Sequence, residues 1–308
     1  MPPSTVVVLA PSPILTVTIE NRDGEPDIHV HPGGQGVWQA RMISSLGVPV
    51  VLCAALGGEA GEILGHLIPG ENVRLEAVRT SSRNGGYVHD RRADDRQVVA
   101  EAPGSALDRH EQDTLYEITL SEGIEAGLAV LSGPQADRVL PTSIYGRLAA
   151  DLGANGCRVA ADLAGERLDA VVEGRPFLVK VSHEELIADG RAKSEEPADL
   201  VAAMRTLREE GADTVVVSRA GAGILALVED EVLEVRSPSL RPAESKGAGD
   251  SMTAGMVAAV AAGRSVRDAL RTGAACGALN VVHRGLGTGG SAAVETLAER
   301  VELTTWKE

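Results

Sequence analysis

The sequence predicts an α/β fold, a central and mainly parallel sheet between helices with a small accessory layer of β structure. Three observations carry this. Strand-like and helix-like segments alternate along most of the chain, the order that parallel strands need because their crossovers contain helices. Two hairpin-like stretches interrupt the alternation, and no linker sets either apart as a unit of its own. The 308 residues, 44% of them hydrophobic, are enough for one large core.

Val6-Val7-Val8-Leu9 is a β-branched run closed by Pro11 and Pro13, a buried strand with an abrupt end. Residues 14–20 alternate apolar and polar side chains, and after the turn signal Asn21-Arg22-Asp23-Gly24 the alternation resumes at Ile28-His29-Val30-His31. These two segments pair as a first hairpin. Gly33-Gly34-Gln35-Gly36 opens a helix that runs to Leu46 and stops at Gly47, and residues 50–56 form the next strand. Gly85-Gly86-Tyr87-Val88 and Gln97-Val98-Val99-Ala100 flank a charged tip and predict a second hairpin. Downstream, residues 128–131, 158–161, 177–180 and 214–217 read as strands, with helices near 144–152 and 198–210. The expected organisation is one domain over residues 1–308 with a β lid formed by insertions at about 14–32 and 79–101.

A formal net charge of −15 opposes broad polyanion binding, and with 2% aromatic residues there are no stacking platforms for single strands, so nucleic acid is excluded as a partner. A pocket still sets its own potential through placed amides, arginines and metal ions, so the net charge does not exclude a phosphorylated substrate. Cys53, Cys157 and Cys276 are far apart and in no metal-ligand spacing, as expected of reduced thiols in a core. Neither a signal peptide nor an apolar run long enough for a membrane is evident, which predicts a cytoplasmic protein without a membrane partner. His29 and His31 share one side of a strand without a third ligand, and the reading for that pair is structural.

The segment with most chemistry in it is Glu244-Ser-Lys-Gly-Ala-Gly-Asp-Ser-Met-Thr-Ala-Gly255, followed by an Ala-rich helix to about Ala262. Gly247 and Gly249 allow a tight turn at the helix start, with amide hydrogens free to face an anion and the helix dipole behind them. Asp250 falls in the first turn, where a carboxylate can take a proton from an alcohol while the Gly247-Ala248-Gly249 backbone stabilises charge. Taken alone, glycines plus Asp also serve as an ordinary helix cap.

The string GAGDSMTAG in the last quarter of the chain resembles the carboxy-terminal signature of the PfkB carbohydrate kinases, in the ribokinase-like superfamily. Other segments agree in the same order. Gly33-Gly34-Gln35-Gly36 with Ala40-Arg41 resembles the amino-terminal glycine signature, Ser132-Gly133-Pro134 the turn after a central strand, Lys180-Val-Ser-His-Glu-Glu-Leu186 the KPNxxEL segment, and Val217-Ser218 with Gly223 the nucleotide-side SxGxxG stretch. The resemblance spans nearly the whole chain and is nearest to the 1-phosphofructokinase and tagatose-6-phosphate kinase branch. It implies a ribokinase-like three-layer sandwich with a β lid, ATP and Mg2+ as cofactors, and a sugar or sugar phosphate as substrate. It also implies a homodimer through the lid.

Carried over residue by residue, the resemblance makes Asp250 the catalytic base and Gly247, Ala248 and Gly249 the anion hole. Glu185 takes the position of the acidic residue that helps organise magnesium through water. Lys180, Ser182, Ser218, Gly221, Gly223, Lys246 and Asn280 fall on the ATP side, with Gly285, Gly287 and Gly289 at the same rim. Thr16, Gly33, Gly34, Gln35, Trp38, Arg41, Arg83 and Asn84 fall on the substrate side.

The substrate side departs from the family pattern. The branch ends its first strand in Pro-x-Leu-Asp, whose Asp grips sugar hydroxyls, and here Pro13-Ile14-Leu15 is followed by Thr16. The GGKGxN signature has Gln35 in place of Lys and Trp38 in place of Asn, and the KPN segment has Ser182 in place of its Asn. A neutral hydroxyl lacks the charge-assisted strength of a carboxylate, and an indole lacks the two-way hydrogen bonding of an amide. A kinase for a free sugar or nucleoside, and a non-catalytic sugar or nucleotide sensor, therefore stay open as alternatives. A dinucleotide-dependent oxidoreductase fails on position, since no GxGxxG follows the first strand.

Overall fold

The computed structural model describes residues 3–93, 96–238, 240, 247–282, 287 and 289–307. Strand β1 (Val6–Ala10) is buried throughout and leads through Pro11 and Pro13 into β2 (Ile14–Arg22) and β3 (Glu25–Gly33). The β2–β3 turn is Asp23-Gly24, both at positive φ (55° and 89°), the left-handed pair that matches the twist of a two-residue hairpin. Helix α1 (Gln35–Ser45), β4 (Val50–Gly57), α2 (Gly58–Leu67) and β5 (Val73–Thr80) follow, then the second hairpin, β6 (Gly85–Asp90) and β7 (Gln97–Ala102). Helix α3 (Arg109–Ala126) starts from a capping box in which Asp108 and Glu111 satisfy each other's backbone amides.

Strand and helix then alternate through β8 (Leu128–Ser132), α4 (Thr142–Ala154), β9 (Arg158–Asp162), α5 (Gly165–Val172), β10 (Leu178–Ser182), α6 (His183–Ala188), α7 (Pro197–Glu210) and β11 (Thr214–Ser218). An antiparallel pair, β12 (Ile224–Val228) and β13 (Glu231–Arg236), precedes α8 (Ala248–Ala261), α9 (Val266–Val282), α10 (Ser291–Ala298) and β14 (Glu302–Thr305).

Ten strands form the large sheet in the order β14-β13-β12-β11-β10-β9-β8-β1-β4-β5, parallel from β11 to β5 and antiparallel beyond β11. Its central strands are apolar on both faces, as a sheet covered twice must be. In β1, Val6, Val8 and Ala10 join one core with α1, α8 and α9, while Val7 and Leu9 join the other with α3, α4 and α7. The result is the expected three-layer α/β sandwich. The predicted hairpins build a separate four-stranded sheet, β3-β2-β6-β7, whose two inner strands run parallel from Ile14 beside Gly85.

Parallel order brings the carboxyl ends of the central strands to one edge, where ligand sites of such sheets lie. Register does the rest: Ser132 ends β8 opposite Asp162 at the end of β9, Asp162 lies beside Lys180 of β10, and Ser182 lies beside Ser218. Helix α8 is brought over this edge by close packing on α9. A Cβ at Gly255 would lie 2.6 Å from the Cys276 sulfur and 3.0 Å from Gly273 Cα, so only glycine permits the approach. Replacing Gly255 by Val should lower unfolding stability by about 1–3 kcal/mol through overpacking. Urea denaturation reads this directly, and an unchanged midpoint would show that the two helices tolerate a wider spacing.

Candidate active site

Gly247 caps α8 in the left-handed region (φ 77°), and no side chain caps the helix. The first-turn amides of α8 are thus left for another acceptor, and Asp250 is the acidic residue of that turn. Gly249 is required for a different reason. A Cβ there would fall 2.5 Å from Lys180 Nζ, so the buried ammonium lies directly against the cradle backbone.

Lys180 is held by Asp162. Its Nζ donates to Asp162 Oδ1 at 3.1 Å, and both side chains are more than nine-tenths buried. The other carboxylate oxygen, Oδ2, accepts from Gln39 Nε2 at 2.9 Å and Thr253 Oγ1 at 2.8 Å. Ser132 donates its hydroxyl to Gln39 Oε1, and the Tyr145 hydroxyl donates to the Ser132 carbonyl at 3.0 Å. Three elements, α1, β10 and α8, are thereby tied to the end of β9 by one carboxylate, and β8 joins them through Gln39. A buried ion pair with its remaining lone pairs filled in this way escapes most of the penalty of an isolated buried charge.

This network sets the electrostatics of Asp250. Burial pushes its carboxyl up most, the negative charge of Asp162 adds to the rise, and Lys180 with the Gln35 amide pulls it back, leaving it at about 7. Lys180 is pulled down by burial, yet attraction to Asp162, Asp250 and Glu185 outweighs this and its net direction is upward. Gln35 joins the two sides of the edge, since its Oε1 accepts from the Gly133 amide at 2.7 Å while its side chain hydrogen-bonds Asp250.

On the substrate side, Thr16, Trp38 and Arg41 line a cleft of about 590 Å³ between the smaller sheet and α1. Gly33 and Gly34 form the passage into α1: a Cβ at Gly33 would meet Thr16 Oγ1 at 2.4 Å, and Gly34 has φ 104°. His29 and His31 line the same cleft, which the sequence reading had left as a structural pair. Arg83 is exposed and its side chain packs near Gly58. Asn84 corrects the sequence reading. Its Oδ1 accepts from the Gly57 amide at 2.8 Å and its Nδ2 donates to the Pro13 and Ala55 carbonyls, each at 3.0 Å, so its amide is consumed in tying strand ends together.

On the ATP side, Ser182 and Glu185 form the capping box of α6, Glu185 Oε2 accepting from the Ser182 amide at 2.7 Å. Glu185 is exposed, and its charge reaches both Lys180 and Asp250. Ser218 ends β11, and Gly221 and Gly223 belong to the short 3-10 turn before β12. Asn280 also departs from the reading: it is fully buried in α9, its Oδ1 accepting from Ser251 at 3.0 Å and from the Gly287 amide at 3.2 Å, so it braces the back of α8. Gly289 packs near Leu279 and Met42. Lys246 and Gly285 lie outside the described residues. Among the described residues, no group of three or more His, Cys, Asp or Glu is arranged to hold a metal ion.

Sequence reasoning missed Asp162, Gln39 and Thr253, and gave Ser132 no role beyond the turn after a central strand. A signal existed only for Asp162, a carboxylate ending the otherwise apolar run Val159-Ala160-Ala161, where burial demands a partner.

Comparison with known proteins identifies the family. The family model described as pfkB family carbohydrate kinase matches residues 14–292. The chain is 31% identical over 259 residues to an ATP-dependent 6-phosphofructokinase isozyme 2 of Escherichia coli, covering 82% of each chain. It is 26% identical over 274 residues to a 1-phosphofructokinase of Bacillus subtilis, covering 89% of this chain and 88% of that one. The solved structure of phosphofructokinase-2 from Escherichia coli in complex with fructose-6-phosphate superposes with a TM-score of 0.82 at 26% identity, covering 96% of this chain and 99% of that one. With its uncapped helix start, its Asp250 and this span of similarity, the chain belongs to the pfkB family of carbohydrate kinases, ATP-dependent phosphotransferases with an alcohol group as acceptor.

Proposed function

We propose that the acceptor is a hydroxyl of a sugar phosphate, a ketohexose phosphate before others. The observation that carries this is a cleft whose walls bear Arg41, Arg91 and Arg96, in the same molecule as Asp250, a carboxylate raised to about 7 in the first turn of a helix that no side chain caps. Guanidinium groups in a partly desolvated cleft favour an anionic ligand even in an acidic protein. The names of the relatives point the same way.

In this reading Asp250 accepts the proton of the attacking hydroxyl, and Gln35 fixes the carboxylate's direction. The amides of Ala248 and Gly249 hold the oxygens of the group in transfer, with Lys180 beneath them adding positive charge. Ser218, Gly221 and Gly223, together with Ser182, form the nucleotide side. A magnesium ion, when bound with the nucleotide, neutralises phosphate charge. Glu185, exposed and within electrostatic reach of Asp250, suits such an ion because magnesium keeps several waters and needs few protein carboxylates. The smaller sheet acts as the lid, and the exposed Ile28, Val30, Val98 and Val99 on its outer strands form the surface through which two copies pair. Among the described residues no helix is long and apolar enough to cross a membrane, in keeping with a cytoplasmic enzyme.

Assay of ADP release with ATP and magnesium, against fructose 1-phosphate, fructose 6-phosphate, tagatose 6-phosphate, free hexoses, ribose and nucleosides, should give turnover on a phosphosugar. Turnover on neutral compounds alone would move the substrate to free sugars or nucleosides. Absence of any turnover with ATP still bound would make the chain a sensor. Asp250→Asn should retain ATP binding and lose about 10²–10⁴-fold in kcat, and in the parent kcat/KM should rise as pH climbs through about 7 because the base acts only when deprotonated.

Asp162→Asn should cost about 3–5 kcal/mol of stability, because it strands the Lys180 ammonium in the interior. Adding Lys180→Met should restore much of that stability in chemical denaturation without restoring kcat. Full activity of the double variant would remove Lys180 from the mechanism. Light scattering should report a dimer that Ile28→Lys with Val99→Lys converts to monomer; a monomeric parent would rule out pairing through the lid.

A further inference from the structure

We infer that the wall of the substrate cleft made by Thr16, Trp38 and Arg41 reads an oxyanion of the substrate, with the Trp38 indole N–H and the Thr16 hydroxyl as specificity-determining groups. The inference rests on the kinase reading above and says which part of the acceptor this chain selects. Thr16 Oγ1 and Trp38 Nε1 are both buried without a hydrogen-bond partner among the described residues, and both residues line the same cleft. Thr16 is only 3% exposed. A buried polar atom left unpaired is destabilising relative to a paired one, and two of them on one wall mark a place where a ligand supplies the missing partners.

The third member is a charge. Arg41 is half-buried, its guanidinium lowered by burial, and it forms no ion pair or side-chain hydrogen bond with another described residue. The two carboxylates lining the cleft are engaged elsewhere: Glu20 faces Arg91 at 3.7 Å, and Glu101 accepts from Gln135. Arg41 therefore stands in the cleft without an internal counter-charge.

Donor and acceptor chemistry narrows the ligand. The indole N–H and the guanidinium can only donate, and the threonine hydroxyl can donate as well. The complement is a group that only accepts and carries negative charge, a phosphate or carboxylate oxygen. At the positions of Thr16 and Trp38 the family pattern has Asp and Asn, side chains that accept hydrogen bonds from sugar hydroxyls. Their replacement removes the charged acceptor and the amide acceptor and leaves the neutral Thr16 hydroxyl in their place, and a carboxylate at position 16 would repel the oxyanion that Arg41 attracts. A neutral diol leaves Arg41 unmatched. The missing Lys at Gln35 is thus compensated by a different cation on the same helix, one turn and a half further along.

The chain has two tryptophans, so Trp306→Phe leaves Trp38 as the only indole and its emission as a binding signal that needs no turnover. Titration of this variant with fructose 6-phosphate, gluconate and fructose should give saturable changes with at least one anion and none with fructose at equal concentration. A phosphate-only response assigns the wall to phosphate, and a response to gluconate extends it to carboxylate. In the otherwise native chain, Trp38→Phe and Thr16→Val should each raise KM for the phosphosugar about tenfold, the equivalent of one hydrogen bond, with KM for ATP unchanged. Equal response to fructose, or no response to any anion, overturns the inference. So does turnover of a phosphosugar with unaltered KM in both variants, a result that leaves the kinase reading standing. Anion-dependent emission without turnover supports the inference and sinks the kinase reading instead.

Discussion

The buried pair of Asp162 and Lys180 is the constraint on which the active end of this molecule depends. One carboxylate, at the last position of β9, orders a lysine from β10, a glutamine from α1 and a threonine from α8. A charge in that position is tolerable only while every one of those partners is present, because desolvation of either ion alone exceeds what a single hydrogen bond returns. The sheet edge, the helix that covers it and the helix that borders the substrate cleft are consequently held in one arrangement. Without the pair, the cradle at Gly249 would have nothing beneath it.

The same pair explains why Asp250 is a costly residue. An acid whose carboxyl is raised in the folded state binds its proton more tightly there than in the unfolded chain, so its contribution to stability declines as pH climbs from about 4 to about 7 and stays unfavourable above. The fold carries that cost at working pH, as functional sites commonly do. It is offset locally by Lys180 and Gln35 and globally by two extensive apolar cores on either side of the sheet.

Much of this was legible in the sequence, for reasons that are local. The Asp23-Gly24 turn, the β-branched runs and the glycine-rich start of α8 each act over a few residues, and each appears where pattern and turn chemistry place it. The Gly-Ala-Gly-Asp segment was readable as a tight, glycine-led helix start because its conformation follows from its own glycines. The hydrogen bonds among Asp162, Gln39, Ser132 and Thr253 were not, because they join residues 91, 93 and 123 positions apart. Only strand register brings Lys180 beside Asp162. Asn84 and Asn280 show the converse: polar residues in suggestive positions whose hydrogen bonds, once the chain is folded, turn out to be spent on backbone and neighbouring helices.

One feature of the connectivity joins covering and chemistry mechanically. Strand β3 ends at Gly33, α1 begins at Gln35, and Gly34 alone stands between them. The smaller sheet and the Gln35 side chain that hydrogen-bonds Asp250 are therefore one glycine apart along the chain. In the lid role proposed for that sheet, a tilt at its β3 end reaches Gln35 through a single flexible residue, so the placement of the cover and the hydrogen bond to Asp250 are not independent.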